Sequence, residues 1–478
     1  RDNKVNEAAK LFEQGLQTNP DYALNYVGLG QVDLLAKASK EAENNFKKAE
    51  SLGKKSPAVF VAIARAYDAV NPEQYAKEIE KNLNKARKIS LEDPNSYIFE
   101  GDRLARTKDW GQAGAKYEMA INYDPNATAA YVKYANLFSQ VNPQYAINML
   151  QKLLQVNPQS ALGQRALANA YYNNNQFKEA AAEYGKYVNN PNHFKQDEDR
   201  YAFLLFYDGK YKEGYEYASN LLKKDPNNFT AMRYQFMNAA QDKSMADQLL
   251  PMAENLWNAR QADPANRKFA PIDYILIAQE FQTAKKNDEA KSVLNAAMAD
   301  MPDNASFPKQ LAMVCVDLND MPGASDNYDK YMALNPETGY NDYVQAAIFA
   351  LYAGVQDKTD KPEEAAKYFD KSQNFADKAA AILPDNYKPV KIMGDIALQK
   401  AAKEDAEIAA QPKYAEAIVL LEQSADPSRY TSDAKSIYNY LGNYYLHQNN
   451  KPEAKKYFQK ALDLDPNNEA YRNFVNSL

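Results

Sequence analysis

A proline preceded by Asp or Asn closes segment after segment of this chain: Asn19-Pro20, Asp93-Pro94, Asp124-Pro125, Asn157-Pro158, Asp225-Pro226, Asp263-Pro264, Asn335-Pro336, Asp426-Pro427 and Asp465-Pro466. Met301-Pro302 and Leu383-Pro384 fill the same role. Five residues before most of these prolines stands a small or apolar residue, as at Ala120, Leu153, Leu221, Ala259, Ala297, Tyr331, Ala379 and Ala461, and such marks most often lie 34 residues apart. A period of that length is the size of a two-helix unit that buries its apolar stripe only against its neighbours.

The stretch from Pro271 to Asn304 shows the unit. Tyr274, Ile277, Ala278 and Phe281 recur at helical spacing, Asn287-Asp288 breaks the run, and Ala290, Leu294 and Ala297 recur likewise. Two helices that cross closely need a small residue at the crossing. Gly30, Ala64, Gly101, Ala135, Ala168, Ala202, Ala278, Ala312, Ala346, Gly394 and Gly442 occupy that eighth position. A small residue opens the second helix (Ala42, Ala113, Ala146, Ala180, Ala290, Ala324, Ala454), and a ring four places on (Phe46, Tyr117, Tyr184, Tyr328, Phe458) fills the gap. The proline then ends the helix, lacking a donor and clashing with the preceding turn. Only 16 Gly against 36 Tyr fits helices better than glycine turns between strands. No apolar stretch is long enough for a membrane span. One Cys and two His exclude internal disulfides and zinc clusters.

These positions resemble the tetratricopeptide repeat family, most closely in the units ending at Pro125, Pro226, Pro302, Pro336 and Pro466; Tyr438 to Asn468 is nearly a consensus unit. The resemblance implies an all-α solenoid, a right-handed superhelix of about twelve helix-turn-helix repeats with a short C-terminal capping helix. We divide it into an N-terminal and central array (1–335), elongated irregular repeats (336–434), and a final repeat with its cap (435–478). Phe236 takes the place of the small residue, so its repeat should be distorted or loosely packed. Extra residues near Gly354 to Glu363 and Ala401 to Pro412 should make elongated helices with surface loops. Asn6 to Gln17 reads as a second helix whose first is missing, which implies a truncated N-terminus. Glu469 to Leu478 should lay Phe474 and Val475 over the last hairpin.

Reaction chemistry is poorly represented. The string Asp463-Leu-Asp465-Pro-Asn467-Asn-Glu469 has the alternating oxygens of a calcium loop, but lacks the turn glycine and has Phe474 at the twelfth place. Asp197-Glu198-Asp199 opens a helix, where negative charge suits the macrodipole. Cys315 sits at a core position, and His193 and His447 read as a solvated loop and a helix end. No phosphate loop, dinucleotide fingerprint or nucleophile elbow occurs, and a net charge of -6 argues against nucleic acid. No cofactor and no metal are called for.

In the family the first helix of each repeat lines the concave face. Its exposed places here are Arg165, Asn169, Tyr172 and Asn173; then Asp199, Phe203, Phe206 and Tyr207; then Arg233, Met237 and Gln241, with Arg200 and Tyr234 alongside. Guanidinium groups beside rings and amides compose a polypeptide-binding groove; the same residues would also serve as a solvated inner face. Some family members clamp a C-terminal carboxylate with Lys, Asn and Arg; here Arg165 and Asn169 match loosely, while Arg200, Thr230 and Tyr234 replace the rest, leaving the clamp incomplete. A second polar patch joins Lys388, Lys391 and Asp395 with Asn439, Asn443 and His447. The reading is a non-enzymatic scaffold that binds a protein or extended peptide in its groove, resembling exported proteins of Gram-negative envelopes. A glycan-handling or outer-membrane assembly accessory of the envelope is the alternative; Trp110, at a hairpin turn, reads as packing. An enzymatic role ranks third.

Overall fold

In a computed structural model that describes residues 4–403 and 405–478, the chain forms 26 α-helices, with no strand among the described residues. It divides into two compact units, Arg1–Asn238 and Ala239–Leu478. In the first, α1 (Val5–Thr18) packs on α2 (Ala23–Leu35), which pairs with α3 (Ser39–Leu52). The pairs α4 (Pro57–Val70) and α5 (Ala76–Ile89), α6 (Pro94–Arg106) and α7 (Trp110–Tyr123), and α8 (Thr128–Phe138) and α9 (Pro143–Val156) follow. Next come α10 (Ala161–Asn173) with α11 (Phe177–Val188), and α12 (Asp199–Tyr207) with α13 (Tyr211–Lys224). Helix α14 (Phe229–Ala239) carries the boundary.

The second unit opens on α15 (Ala246–Ala262) and continues with α16 (Pro271–Thr283) and α17 (Asn287–Asp300), then α18 (Ser306–Asp317) and α19 (Met321–Leu334). The longer pair α20 (Tyr340–Asp357) and α21 (Pro362–Ile382) precedes α22 (Tyr387–Lys400) with α23 (Ala406–Glu422), then α24 (Thr431–His447) with α25 (Lys451–Asp463). Helix α26 (Glu469–Ser477) ends the chain with Val475 fully buried and the Phe474 ring 5.1 Å from Phe458. It caps the last pair, as expected.

The small residues of the first helices meet the rings of the second. A β-carbon on Gly30, Gly101 or Gly442 would come within 2.5–2.7 Å of the rings of Phe46, Tyr117 and Phe458. In the elongated pair, Gly354 on α20 takes this part under Phe369, two turns beyond the expected Ala346. Lengthening both helices carries the crossing along with it. Pro412 lies inside α23 and not in a loop; residue 404, within the same expected insertion, is outside the described residues.

Most turns within a pair contain one residue with positive φ: Lys37, Lys108, Asn175, Gly209, Lys285, Asn319 and Asn449, all between 56° and 75°. The preceding helix ends there and the chain reverses at once into the next.

The repeat with Phe236 is not loosely packed. Phe236 is 1% exposed, and Asn238 beside it donates to the Ala202 carbonyl at 3.2 Å and the Tyr234 carbonyl at 2.8 Å. The space comes from the neighbouring helix, since a β-carbon on Gly214 would collide with the Asn238 side chain at 2.4 Å. Met237 is also buried, so it leaves the expected groove.

Candidate functional site

The groove residues of α10 are held by the segment between α11 and α12. Asn190 is buried and donates to the Gln159 carbonyl and to Gln164 Oε1, both at 3.0 Å. His193 places Nδ1 2.7 Å from the Asn190 carbonyl oxygen and Nε2 3.0 Å from Glu198 Oε1. Both ring nitrogens face acceptors, an arrangement that only the imidazolium satisfies fully. The Glu198 carboxylate, and then the Asn190 carbonyl, raise the His193 pKa. This histidine is therefore clamped, not solvated as the sequence suggested.

The acidic run does open α12, with Asp199 in its first turn, and each member also has its own partner. Asp197 ion-pairs with Arg165 Nε at 2.7 Å, accepts from Arg165 Nη2 at 3.1 Å and accepts from the fully buried Tyr187 hydroxyl at 2.8 Å. Tyr187 in turn accepts from the Phe194 amide at 2.9 Å. Glu198 also meets Lys224 at 3.4 Å, and Asp199 accepts from Asn228 at 2.8 Å. Burial raises the Asp199 carboxyl pKa despite that bond. Arg165 is thus committed to Asp197, with its guanidinium also 5.6 Å from the Phe194 ring, and does not stand ready as a free cation.

Beyond it lies a continuous aromatic surface. Tyr172, Phe177, Tyr207 and Phe203 close a cycle, with centroid separations of 5.7 Å (172–177), 5.0 Å (177–207), 4.6 Å (203–207) and 5.6 Å (172–203). The cycle extends to Tyr234 at 5.5 Å from Phe203, and through Phe206 to Tyr211. None of these rings is buried, and Tyr207 is 46% exposed. Arg200 stacks 4.9 Å from the Tyr172 centroid, and no carboxylate among the described residues lies within ion-pair distance of it. Its Nε is shielded from solvent without a hydrogen-bond partner. Arg233 sits 5.6 Å from the Tyr234 centroid. The sequence brought Tyr172, Arg200, Phe203, Phe206, Tyr207, Arg233 and Tyr234 to one face, and the structure assembles them. It did not place Phe177, Phe194 or Tyr211 on that face.

Between α8 and α10 a cavity of about 210 Å3 carries Asn136 and Ser139 on one side and Arg165, Asn169 and Asn173 on the other. The groove therefore continues from the aromatic surface toward the N-terminus.

The second patch is a chain of satisfied partners. Lys391 meets Asp395 at 3.0 Å, Asp395 accepts from Tyr414 at 2.5 Å, the Tyr414 and Tyr440 rings lie 4.2 Å apart, and His447 meets Glu407 at 2.8 Å. Asn439 accepts from Tyr471. Lys388 and Asn443 are exposed and stand outside this chain. Elsewhere Cys315 is buried, with its thiol pKa raised chiefly by burial, and Asp465 is paired with Lys435 at 2.5 Å. Among the described residues no helix is long and apolar enough to cross a membrane.

Two stretches match the tetratricopeptide repeat family, residues 436–468 and 136–193; the second contains Asn136, Arg165, Asn169 and Tyr172. No curated protein matches the sequence. Among solved structures, the C-terminal part of a TPR repeat-containing protein from Cytophaga hutchinsonii is 17% identical, covering 58% of this chain and 98% of its own with a TM-score of 0.43. Pseudomonas aeruginosa pilF is 17% identical over 45% of this chain and 97% of its own, TM-score 0.32. Yeast Tom70 is 15% identical over 80% and 95%, TM-score 0.24. Likeness at this level says nothing of function.

Proposed function

Because the chain is a tetratricopeptide-repeat protein, we propose that it is a non-catalytic interaction scaffold that holds an extended segment of a partner protein against α10, α12 and α14. The observation that carries this reading is the closed cycle of part-exposed rings at Tyr172, Phe177, Phe203 and Tyr207, flanked by an Arg200 that pairs with no carboxylate among the described residues. Rings offer large contact area at low entropic cost, and an unpaired guanidinium selects a carboxylate. Asn169, Asn173 and Arg233 border the same surface, whereas Arg165 acts as part of its wall. The second patch is the weaker candidate, because Lys391, Asp395 and His447 already have partners. An exported, envelope setting is part of the proposal; it rests on the Tyr- and Asn-rich composition and the single Cys.

A photo-crosslinking residue in place of Tyr207 should give a protein adduct in the cells of origin, and one in place of Tyr352 on α20, equally exposed, should not. Adding Arg200→Glu to the Tyr207 probe should remove the adduct. Absence of any adduct at position 207, or an adduct indifferent to Arg200→Glu, refutes the assignment.

A further inference from the structure

The exposed Trp110 is not the packing residue its place at a hairpin turn suggests. Its ring is 54% exposed and forms one wall of a cavity of about 640 Å3 between the α6–α7 turn and the C-terminal end of α8. Leu137, Phe138 and the 78% exposed Val141 complete the apolar lining. Below them, Lys133 and the Tyr117 hydroxyl both bind Asp102, each at 2.8 Å, so the lysine that lines the floor is already paired. Asn136 and Gln140 border the cavity with exposed side-chain amides that make no hydrogen bond among the described residues. Asn136 lines this cavity and also the groove between α8 and α10. The two spaces therefore share Asn136 as a common edge.

We infer that the Trp110 cavity is an anchor subsite of the same groove, taking one large aromatic or branched aliphatic side chain from the extended protein segment that reaches Arg200. This rests on the binding reading given above. A floor whose lysine is already paired and an indole wall favour an apolar side chain, while free amides at the rim suit the backbone of the chain that carries it. Spacing follows from the architecture. First helices that pack directly stand about 8–10 Å apart; α8 packs on α10 in this way, while α10 and α12 meet through side chains such as Tyr172 and Phe203, so the two steps from α8 to α12 span at least roughly 16–20 Å, or about five or more residues of extended chain. The ligand thus pairs an apolar anchor with an Asp or Glu at least about five positions away.

Selection of random twelve-residue peptides displayed on phage, against the full chain, tests this. Enriched sequences should show that pairing, and replacing the anchor by Ala in a synthetic copy should weaken binding at least tenfold. A β-carbon on Gly111 meets nothing within 4 Å, so Gly111→Leu can obstruct the cavity without disturbing the core. Selection on G111L should lose the apolar preference and keep the acidic one; selection on R200E should do the reverse. Acidic enrichment with no apolar position, or an apolar preference that survives G111L, overturns the subsite alone. No enrichment on the wild-type chain overturns the groove reading as well. Oligosaccharides that shift Trp110 fluorescence in a W257F background, with no peptide enriched, would replace the peptide by a glycan.

Discussion

Removing the Asp197 carboxylate should loosen the segment from Asn190 to Tyr201 and with it the wall of the groove. Asp197→Ala leaves the fully buried Tyr187 hydroxyl without its acceptor, a loss of about 1–3 kcal/mol. It also frees Arg165, whose side chain is 36% exposed; screening limits that part to about 1 kcal/mol. Together these give about 2–4 kcal/mol of local stability, equivalent to about 30- to 700-fold in an opening equilibrium. Hydrogen exchange on the full chain is the suitable assay, because the amides of this segment report local opening separately from the rest of the array. Amides from Asn190 to Tyr201 should exchange faster by that factor, those of α18 and α19 should not change, and Asp197→Asn, which keeps an acceptor, should fall between. Exchange in Asp197→Ala within threefold of wild type would refute the idea that this carboxylate holds the segment.

Leu294, fully buried on α17 beside Val293 and Ala297, should cost about 2–5 kcal/mol when cut to Ala, read as a lowered urea midpoint of the transition that includes α17; an unchanged midpoint would contradict its place in the core. The His193 clamp sets a pH dependence. Because folding raises this pKa above its ordinary 6.5, the clamp's contribution is fully present below about pH 6.5 and is lost as pH rises through the higher folded value. Protection of the Phe194 amide should therefore decline as pH rises above about 6.5 and through the raised folded value, and Glu198→Gln should move that decline to lower pH; a pH-independent amide would count against it.

The repeat fold was legible because its determinants are local and periodic. Gly101 and Tyr117, or Gly442 and Phe458, can be paired from spacing alone, since a small residue and a ring at fixed separation meet in every hairpin. The elongated pair escaped that rule only in register, where Gly354 replaced Ala346 under Phe369. The face of the candidate site was legible for the same reason: one position per turn on α10, α12 and α14 yields Tyr172, Phe203 and Tyr234. What it could not convey were contacts set by irregular chain. Asp197 reaches Arg165 across 32 positions because the Asn189 to Glu198 segment folds back, and nothing periodic announces that. Phe177 and Tyr211 open second helices, where the repeat pattern assigns packing, yet their rings complete the surface begun by the first helices.

The turns within the helix pairs carry a consequence for how such a chain can vary. At seven of them one left-handed residue reverses the chain, and the position is filled by Lys at 37, 108 and 285, by Asn at 175, 319 and 449, and by Gly at 209. All seven are exposed. The backbone there accepts an ammonium, an amide or no side chain at all, so charge at these turns can be rewritten one residue at a time while the apolar stripes and the groove keep their register. Lys108 is two places before Trp110. A change of sign at that single turn would alter the field at the mouth of the anchor cavity without moving any wall of it.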